Sequence, residues 1–263
     1  MRGSSAGTNV QLMRLPRLAA GLLAPLVVAG CASSGGSSAS GTSSSSAASS
    51  SSSAAPSSSS PAGCTAKEAT QPSGAASKPT LDVDGDGKPD TVWIATQPDA
   101  DGGVPFGITT AAGGTFGTTI RSASPVARSV MVADVTGKGE LIALASDNRQ
   151  VLLYGISSCS FVPELNAQGQ QYAFDLGFTG FGTGVGCVDA NGDGTTDLVG
   201  LKYEPETNGA GTIKRTIVEL DGPQARNGAT DTVTVTRASE ADEAQSVSCG
   251  DVSLADDGVT SGP

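Results

Sequence analysis

An all-β fold, a propeller-like array of about four small blades with acidic loops between strands, is what this chain predicts, on three observations. Short apolar runs alternate with Gly, Asp, Asn and Pro punctuation across residues 64–263. No segment carries the apolar periodicity of a long amphipathic helix. An acidic loop recurs, its first aspartates at Asp82, Asp134 and Asp189, which spaces the copies at one four-stranded unit per repeat.

Composition narrows the chemistry. The 263 residues carry a net charge of −11, with 16% charged and 4% aromatic residues and no histidine. Lacking His, the chain has no Ser–His–Asp or Cys–His nucleophile and no His-ligated zinc. An acidic chain with 15 Lys and Arg argues against a surface that tracks nucleic-acid phosphates.

Residues 1–30 hold Arg2, Arg14 and Arg17, no acid, and an apolar run from Leu18 to Gly30. That run is short of the roughly 20 residues a membrane span needs but suits a signal-peptide core. It ends in Val28-Ala29-Gly30-Cys31, which resembles a bacterial lipobox. The resemblance implies a lipid on Cys31, the first mature residue, and a protein anchored outside the cytoplasm. Met13 offers a second start with a tidier basic segment than Met1. Loss of the three arginines leaves 12 of the 15 basic residues against 26 acidic ones. Residues 31–63 follow as a Ser-rich tether; 18 of the 32 positions from 32 to 63 are Ser, too polar to offset the entropy of ordering. A flexible tether of that length reaches about 30 Å.

The folded domain is therefore expected at 64–263. Its strand-like runs are Thr91–Thr96, Val126–Val132, Leu141–Ala145, Gln150–Ile156, Cys159–Pro163, Asp197–Tyr203, Thr212–Leu220 and Asp231–Thr236. Sandwich, barrel and propeller all suit such a pattern, and the repeats decide among them.

Two loops share the template D-x-[DN]-G-D-G-x-x-D running into an apolar strand. One runs from Asp82 to Asp90 and the other from Asp189 to Asp197. Side-chain oxygens at positions 1, 3, 5 and 9, with a carbonyl at position 7, suit a hard cation such as calcium. An EF-hand would place Glu at position 12, where this chain has Trp93 and Gly200, and would be flanked by helices. A worn third copy spans Val132 to Ile142, with Lys138 at position 5, where its ammonium is a candidate partner for Asp134. A fourth echo surrounds Asp251 and places Cys249 where the Asp189 copy has Cys187.

These loops, with Phe181-Gly182 ahead of Asp189, resemble the FG-GAP/VCBS repeats of integrin-type β-propellers. The resemblance covers about 80–260, strongly for two loops, partly for Asp134 and weakly for Asp251. It implies two structural Ca²⁺ sites. The first set is Asp82, Asp84, Asp86, the Lys88 carbonyl and Asp90; the second is Asp189, Asn191, Asp193, the Thr195 carbonyl and Asp197. Length is the departure, since about 200 residues suffice for four blades of roughly 50, near the lower end for propellers.

Cys64, Cys159, Cys187 and Cys249 are even in number and lie beyond an export signal, so two disulfides are expected. Three connectivities are open. The favoured one pairs Cys159 with Cys187, across neighbouring blades, and Cys64 with Cys249, across the domain ends.

Nothing in the sequence marks a catalytic constellation. Glu204 with Glu206, Glu240 with Asp242 and Glu243, and Asp256 with Asp257 read as solvated turns, and Trp93 and Tyr203 as core. The expected function is non-enzymatic: a lipid-anchored, calcium-stabilised module binding a cell-envelope glycan or protein. The alternatives are a hydrolase on the same scaffold, marked by a cleft pairing carboxylates outside the two intact loops, and a structural accessory lipoprotein.

Overall fold

Three antiparallel four-stranded meanders follow one another along the chain. The first is β1 (Ala76–Pro79), β2 (Thr91–Ile94), β3 (Val104–Thr109) and β4 (Thr115–Ile120). The second is β5 (Ser129–Asp134), β6 (Leu141–Ser146), β7 (Gln150–Ser157) and β8 (Ser160–Pro163), with β9 (Ala173–Asp175) beside β8 on β7. The third is β10 (Thr183–Val188), β11 (Asp197–Pro205), β12 (Gly211–Asp221) and β13 (Gln224–Val235). One short helix, α1 (Ala238–Glu243), then precedes the small hairpin β14 (Ser248–Cys249) and β15 (Val252–Ser253), and β16 (Val259–Thr260) returns to pair with β5. The protein is all-β, and no sheet among the described residues closes on itself. This computed structural model describes residues 63–177, 183–206 and 210–262. The signal segment, Cys31, the Ser-rich stretch to residue 62 and Phe181-Gly182 lie outside the described residues.

The central meander is buried on both faces, which explains why β5, β6 and β7 read as nearly unbroken apolar runs. One face presents Met131, Ala133, Ile142, Leu144, Val151 and Leu153 to residues of the third meander, among them Val185, Leu198 and Val218. The other presents Val130, Val132, Ala143, Ala145 and Tyr154 to Val92, Ile94, Phe106, Ile108 and Phe116 of the first. Ladder register keeps the two sets apart: Met131 pairs with Leu144 and Leu144 with Leu153, while Val132 pairs with Ala143 and Ala143 with Tyr154. Each large side chain buried here contributes about 1.5–3 kcal/mol. The third meander's outer side is covered by α1, whose Ala241 packs, with Ala244 just past its end, on Tyr203, Ile213 and Val235.

All eight expected runs contain a strand, but β3, β4 and β10 escape the apolar pattern because glycines interrupt them. Those glycines make room. A Cβ on Gly107 would stand 2.3 Å from the Trp93 ring, and one on Gly184 would stand 2.4 Å from the Ser246 carbonyl oxygen. The run from Val126 also starts early, since Val126 is 44% exposed and the strand begins at Ser129.

The disulfides are Cys64–Cys159 and Cys187–Cys249, not the expected Cys159–Cys187 and Cys64–Cys249. Local geometry accounts for the difference. Val185 bridges Val247 in parallel, so two residues further on Cys187 meets Cys249, with Cα atoms 4.4 Å apart. Cys64 is held at the first meander by its carbonyl, which accepts the Gly114 N–H at 3.0 Å and the Thr110 hydroxyl at 2.6 Å. From there it reaches Cys159 in the β7–β8 turn. The C-terminal end is tied instead to the second meander, where β16 pairs with β5 and the Arg128 N–H donates to Ser261 Oγ at 2.9 Å.

Candidate metal centre

Each acidic loop joins the first strand of a meander to the second. Asp90 N–H donates to the Leu81 carbonyl, Val188 pairs with Asp197, and Ala133 pairs with Ile142. In each case the residue before the first aspartate meets the residue eight places beyond that aspartate. In the first meander, however, the Asp90 carbonyl also accepts Thr80 N–H, so two residues face one and the ladder resumes at Pro79 and Thr91, one residue out of step with the other two.

The two intact loops match bond for bond. Asp82 Oδ1 accepts the N–H groups of Gly85 (2.8 Å) and Asp86 (3.2 Å), and Oδ2 that of Gly87 (2.8 Å). Asp189 does the same with Gly192 (2.7 Å), Asp193 (3.1 Å) and Gly194 (3.0 Å). Lys88 N–H donates to Asp86 and Thr195 N–H to Asp193, both at 2.8 Å. Val83 N–H donates to Asp90 and Ala190 N–H to Asp197. This path turns twice through the left-handed region, at Gly85 (φ 74°) and Gly87 (φ 86°), and at Gly192 (φ 80°) and Gly194 (φ 84°). A side chain there would be strained, which is why the template fixes both glycines.

The loops differ in what they can hold. Asp82, Asp84 and Asp86 each offer a carboxylate oxygen within 4.8 Å of the other two, a donor set that fits a hard divalent cation. Like charges at that spacing repel by about 3 kcal/mol per pair at an effective dielectric of 20, less once salt screens them. The loop is also partly covered: Cys64 N–H donates to Asp84 Oδ2 at 2.6 Å. Burial raises the Asp82 pKa, but the N–H groups of Gly87, Gly85, Asp84 and Asp86 outweigh it and hold the carboxyl below its ordinary value. The expected fourth ligand, Asp90, stands apart. It is buried, and its oxygens accept Val83 N–H and Ala111 N–H, both at 2.8 Å. Burial pushes its pKa up, those two donors oppose the shift, and the Asp84 and Asp82 charges add to it.

In the other intact loop an amide sits among the acids. Asn191 Oδ1 accepts Asp193 N–H, while Nδ2 donates to Asp193 Oδ2 (3.1 Å) and Asp197 Oδ1 (3.4 Å). Its own donor thus neutralises part of the charge that a cation would meet. Asp189, Asn191 and Asp193 are exposed, where their counterparts are half-buried.

The worn loop keeps only the first aspartate's role, with Asp134 accepting Gly139 N–H at 2.7 Å and Glu140 N–H at 3.1 Å. Lys138 does not pair with Asp134. Its ammonium donates to Thr195 Oγ1 of the neighbouring loop at 3.2 Å, and Thr196 Oγ1 donates to the Val135 carbonyl, so the two loops are tied side by side. The fourth echo is no loop: Gly250 and Asp251 form the tight turn between β14 and β15.

Outside the loops, Glu204 pairs with Lys202 at 2.8 Å and Glu240 with Arg237 at 2.6 Å. Asp256 and Asp257 bond to Ser253, and Trp93 and Tyr203 are buried. Glu164 escaped the sequence reading: a lone acid just past β8, it is 4% exposed and lines a cleft with Glu140. Its only signal was a charge ending an apolar strand. Compared with protein-family models, curated proteins and solved structures, the chain matches none of them.

Proposed function

We propose that the chain is a calcium-stabilised, propeller-type array of FG-GAP/VCBS-like blades that acts as an extracytoplasmic binding module, lipid-anchored to a bacterial membrane through Cys31. The observation that carries this reading is the bond-for-bond match of the Asp82 and Asp189 loops, each between the first two strands of a separate meander. Face-to-face packing of three meanders supports an arc of blades, and two disulfides suit an oxidising compartment. Calcium would be held by Asp82, Asp84 and Asp86, and more weakly by Asp189, Asn191, Asp193 and Asp197. Its contribution is to neutralise the loop and fix a turn between strands. Sites of millimolar affinity suffice outside a cell, at about 10⁻⁴–10⁻³ M. The partner is a cell-envelope glycan or protein met by the loop-bearing end.

A cleft pairing carboxylates, Glu140 with Glu164, also exists. Its walls bear Ser157 as the sole neutral hydrogen-bonding side chain, which favours binding over glycoside hydrolysis, where several sugar hydroxyls need partners.

The test is the melting temperature in EDTA, in millimolar calcium and in millimolar magnesium. A rise with calcium alone supports the reading. An identical melting temperature in all three would reduce the loops to acidic turns and overturn it.

A further inference from the structure

The cleft between the second and third meanders holds about 440 Å³ and runs from β6 and β7 to the β12–β13 turn at Gly222 and Pro223. Glu164 lines it with its backbone locked, its N–H donating to the Leu153 carbonyl at 3.1 Å and its carbonyl accepting Tyr172 N–H at 2.6 Å. Its Oε1 lies against Gly155, where a Cβ would come within 2.6 Å, and its Oε2 is buried without a hydrogen-bond partner. An acceptor left so is costly until a donor arrives. Glu140 stands exposed along the same cleft, no lysine or arginine lines it, and Leu141, Ile156, Val162 and Leu220 supply apolar wall.

These features select a ligand. A bare calcium ion wants six to eight oxygens, which two carboxylates and one hydroxyl do not provide. A guanidinium wants two parallel acceptors, but Oε1 is already against Gly155. A compact ammonium on a hydrocarbon stem meets the one orphaned oxygen and covers the apolar walls. We propose that this cleft binds a primary alkylammonium group, the chemistry shared by a lysine side chain and a free diamine, with Glu164 receiving the charge and Glu140 flanking it. Burial, together with the Glu140 charge, raises the Glu164 pKa against the opposing Gly155 N–H, a bias that a bound cation would reverse. The inference rests on the binding-module reading and names the ligand class of that module.

The experiment titrates the full chain, in calcium and about 0.15 M salt, with three probes followed by NMR. They are 1,5-diaminopentane, N-acetyl-lysine methylamide and the neutral analogue 1-pentanol. Saturable binding of either amine, at least tenfold tighter than pentanol, is expected. Binding of the diamine alone points to a free amine, and binding of the lysine derivative to a protein partner. Glu164→Gln, nearly isosteric, should weaken amine binding at least tenfold, and the exposed Glu140→Gln a few-fold without disturbing the fold. Glu204→Gln, away from the cleft, should change nothing. Pentanol binding as well as the amines, full retention in both cleft variants, or no amine binding at all would overturn the proposal, leaving water to satisfy Oε2. The calcium melting experiment is independent, so failure there removes the module reading while this titration still reports on the cleft.

Discussion

Asp82 and Asp189, 107 residues apart in the chain, occupy one structural position: each carboxylate gathers the N–H groups three, four and five residues ahead and so closes the first hairpin of its meander. These bonds run to the loop's own N–H groups, so position 1 shapes the loop and positions 3 and 5 complete the donor set. Asp82→Ala should therefore lower the melting temperature in EDTA as well as in calcium, since hydrogen bonds to a charged acceptor contribute about 1.5–3 kcal/mol each. Asp86→Asn should remove most of the calcium response while leaving the EDTA value nearly unchanged. Calorimetry of both variants in the two buffers checks the division; equal behaviour would contradict it.

The amide of Asn191 makes the opposite change informative. Replacing it by Asp restores an all-carboxylate set at positions 1, 3 and 5, matching Asp82, Asp84 and Asp86. Asn191→Asp should lower stability in EDTA, because the bonds to Asp193 and Asp197 become repulsions, and should enlarge the rise with calcium. A drop of the same size in both buffers would show that this loop takes no cation.

Loss of either disulfide should cost about 4–5 kcal/mol in the chain-entropy account, for loops closed over 95 and 62 residues. Non-reducing peptide mapping should recover Cys64 with Cys159 and Cys187 with Cys249. The single variants Cys187→Ser and Cys249→Ser should then melt alike, each leaving its partner free. A recovered Cys64–Cys249 peptide would contradict the fold at both chain ends.

How far the sequence spoke depends on what kind of constraint each feature obeys. The intact loops were readable because a short path through two left-handed turns admits glycine at fixed places and acids between them, a local requirement. The worn copy was readable too, and its register at Ala133 and Ile142 matches that of the Asp189 loop although its acids at positions 3 and 5 are gone. The favoured cysteine pairing is wrong, although Cys187 and Cys249 share the place two residues before an aspartate. Treating that shared place as adjacent parallel strands would have paired them. Strands β3, β4 and β10 stayed hidden because their glycines answer to non-local neighbours, the Trp93 ring and the Ser246 backbone. Glu164 stayed hidden for the same reason, since its burial depends on packing between sheets.

Trp93 gives that point a test. Trp93 is 1% exposed, and its ring covers Gly107 on the neighbouring strand β3 and Gly117 on β4 beyond it, where an added Cβ would stand 2.3 Å and 3.3 Å from ring carbons. At Gly107 the Phe116 carbonyl oxygen also lies 2.4 Å away, so neither ring nor backbone can yield cheaply. Gly107→Ala should destabilise by about 1–3 kcal/mol or more, as overpacked cores do. Gly117→Ala lies 2.7 Å from the Phe106 carbonyl oxygen and should cost less. Trp93 fluorescence during urea unfolding reports both, and a neutral Gly107→Ala would mean that the indole does not lie over β3.

Asp147 supplies the pH dependence. It is buried in the β6–β7 turn and accepts the Ser122 hydroxyl and the N–H groups of Gln150 and Arg149, both at 2.9 Å. Burial raises its pKa, but Ser122, these amides and the Arg128 charge outweigh that and hold it below the ordinary value. A carboxyl lowered in the folded state contributes stability that is complete above its unfolded pKa of about 3.9 and is lost as pH falls through the folded value. Asp147→Asn keeps the shape but not the charge, so it should cost about 1–3 kcal/mol at pH 7. Against wild type, that gap should hold at pH 5 and shrink below about pH 4, where the wild-type carboxyl takes up a proton. Urea unfolding in EDTA at pH 7, 5 and 3 measures it, and taking the difference between the two proteins cancels the titration of the loop aspartates. A gap of the same size at pH 3 would mean that the shape of the side chain, and not its charge, holds this turn.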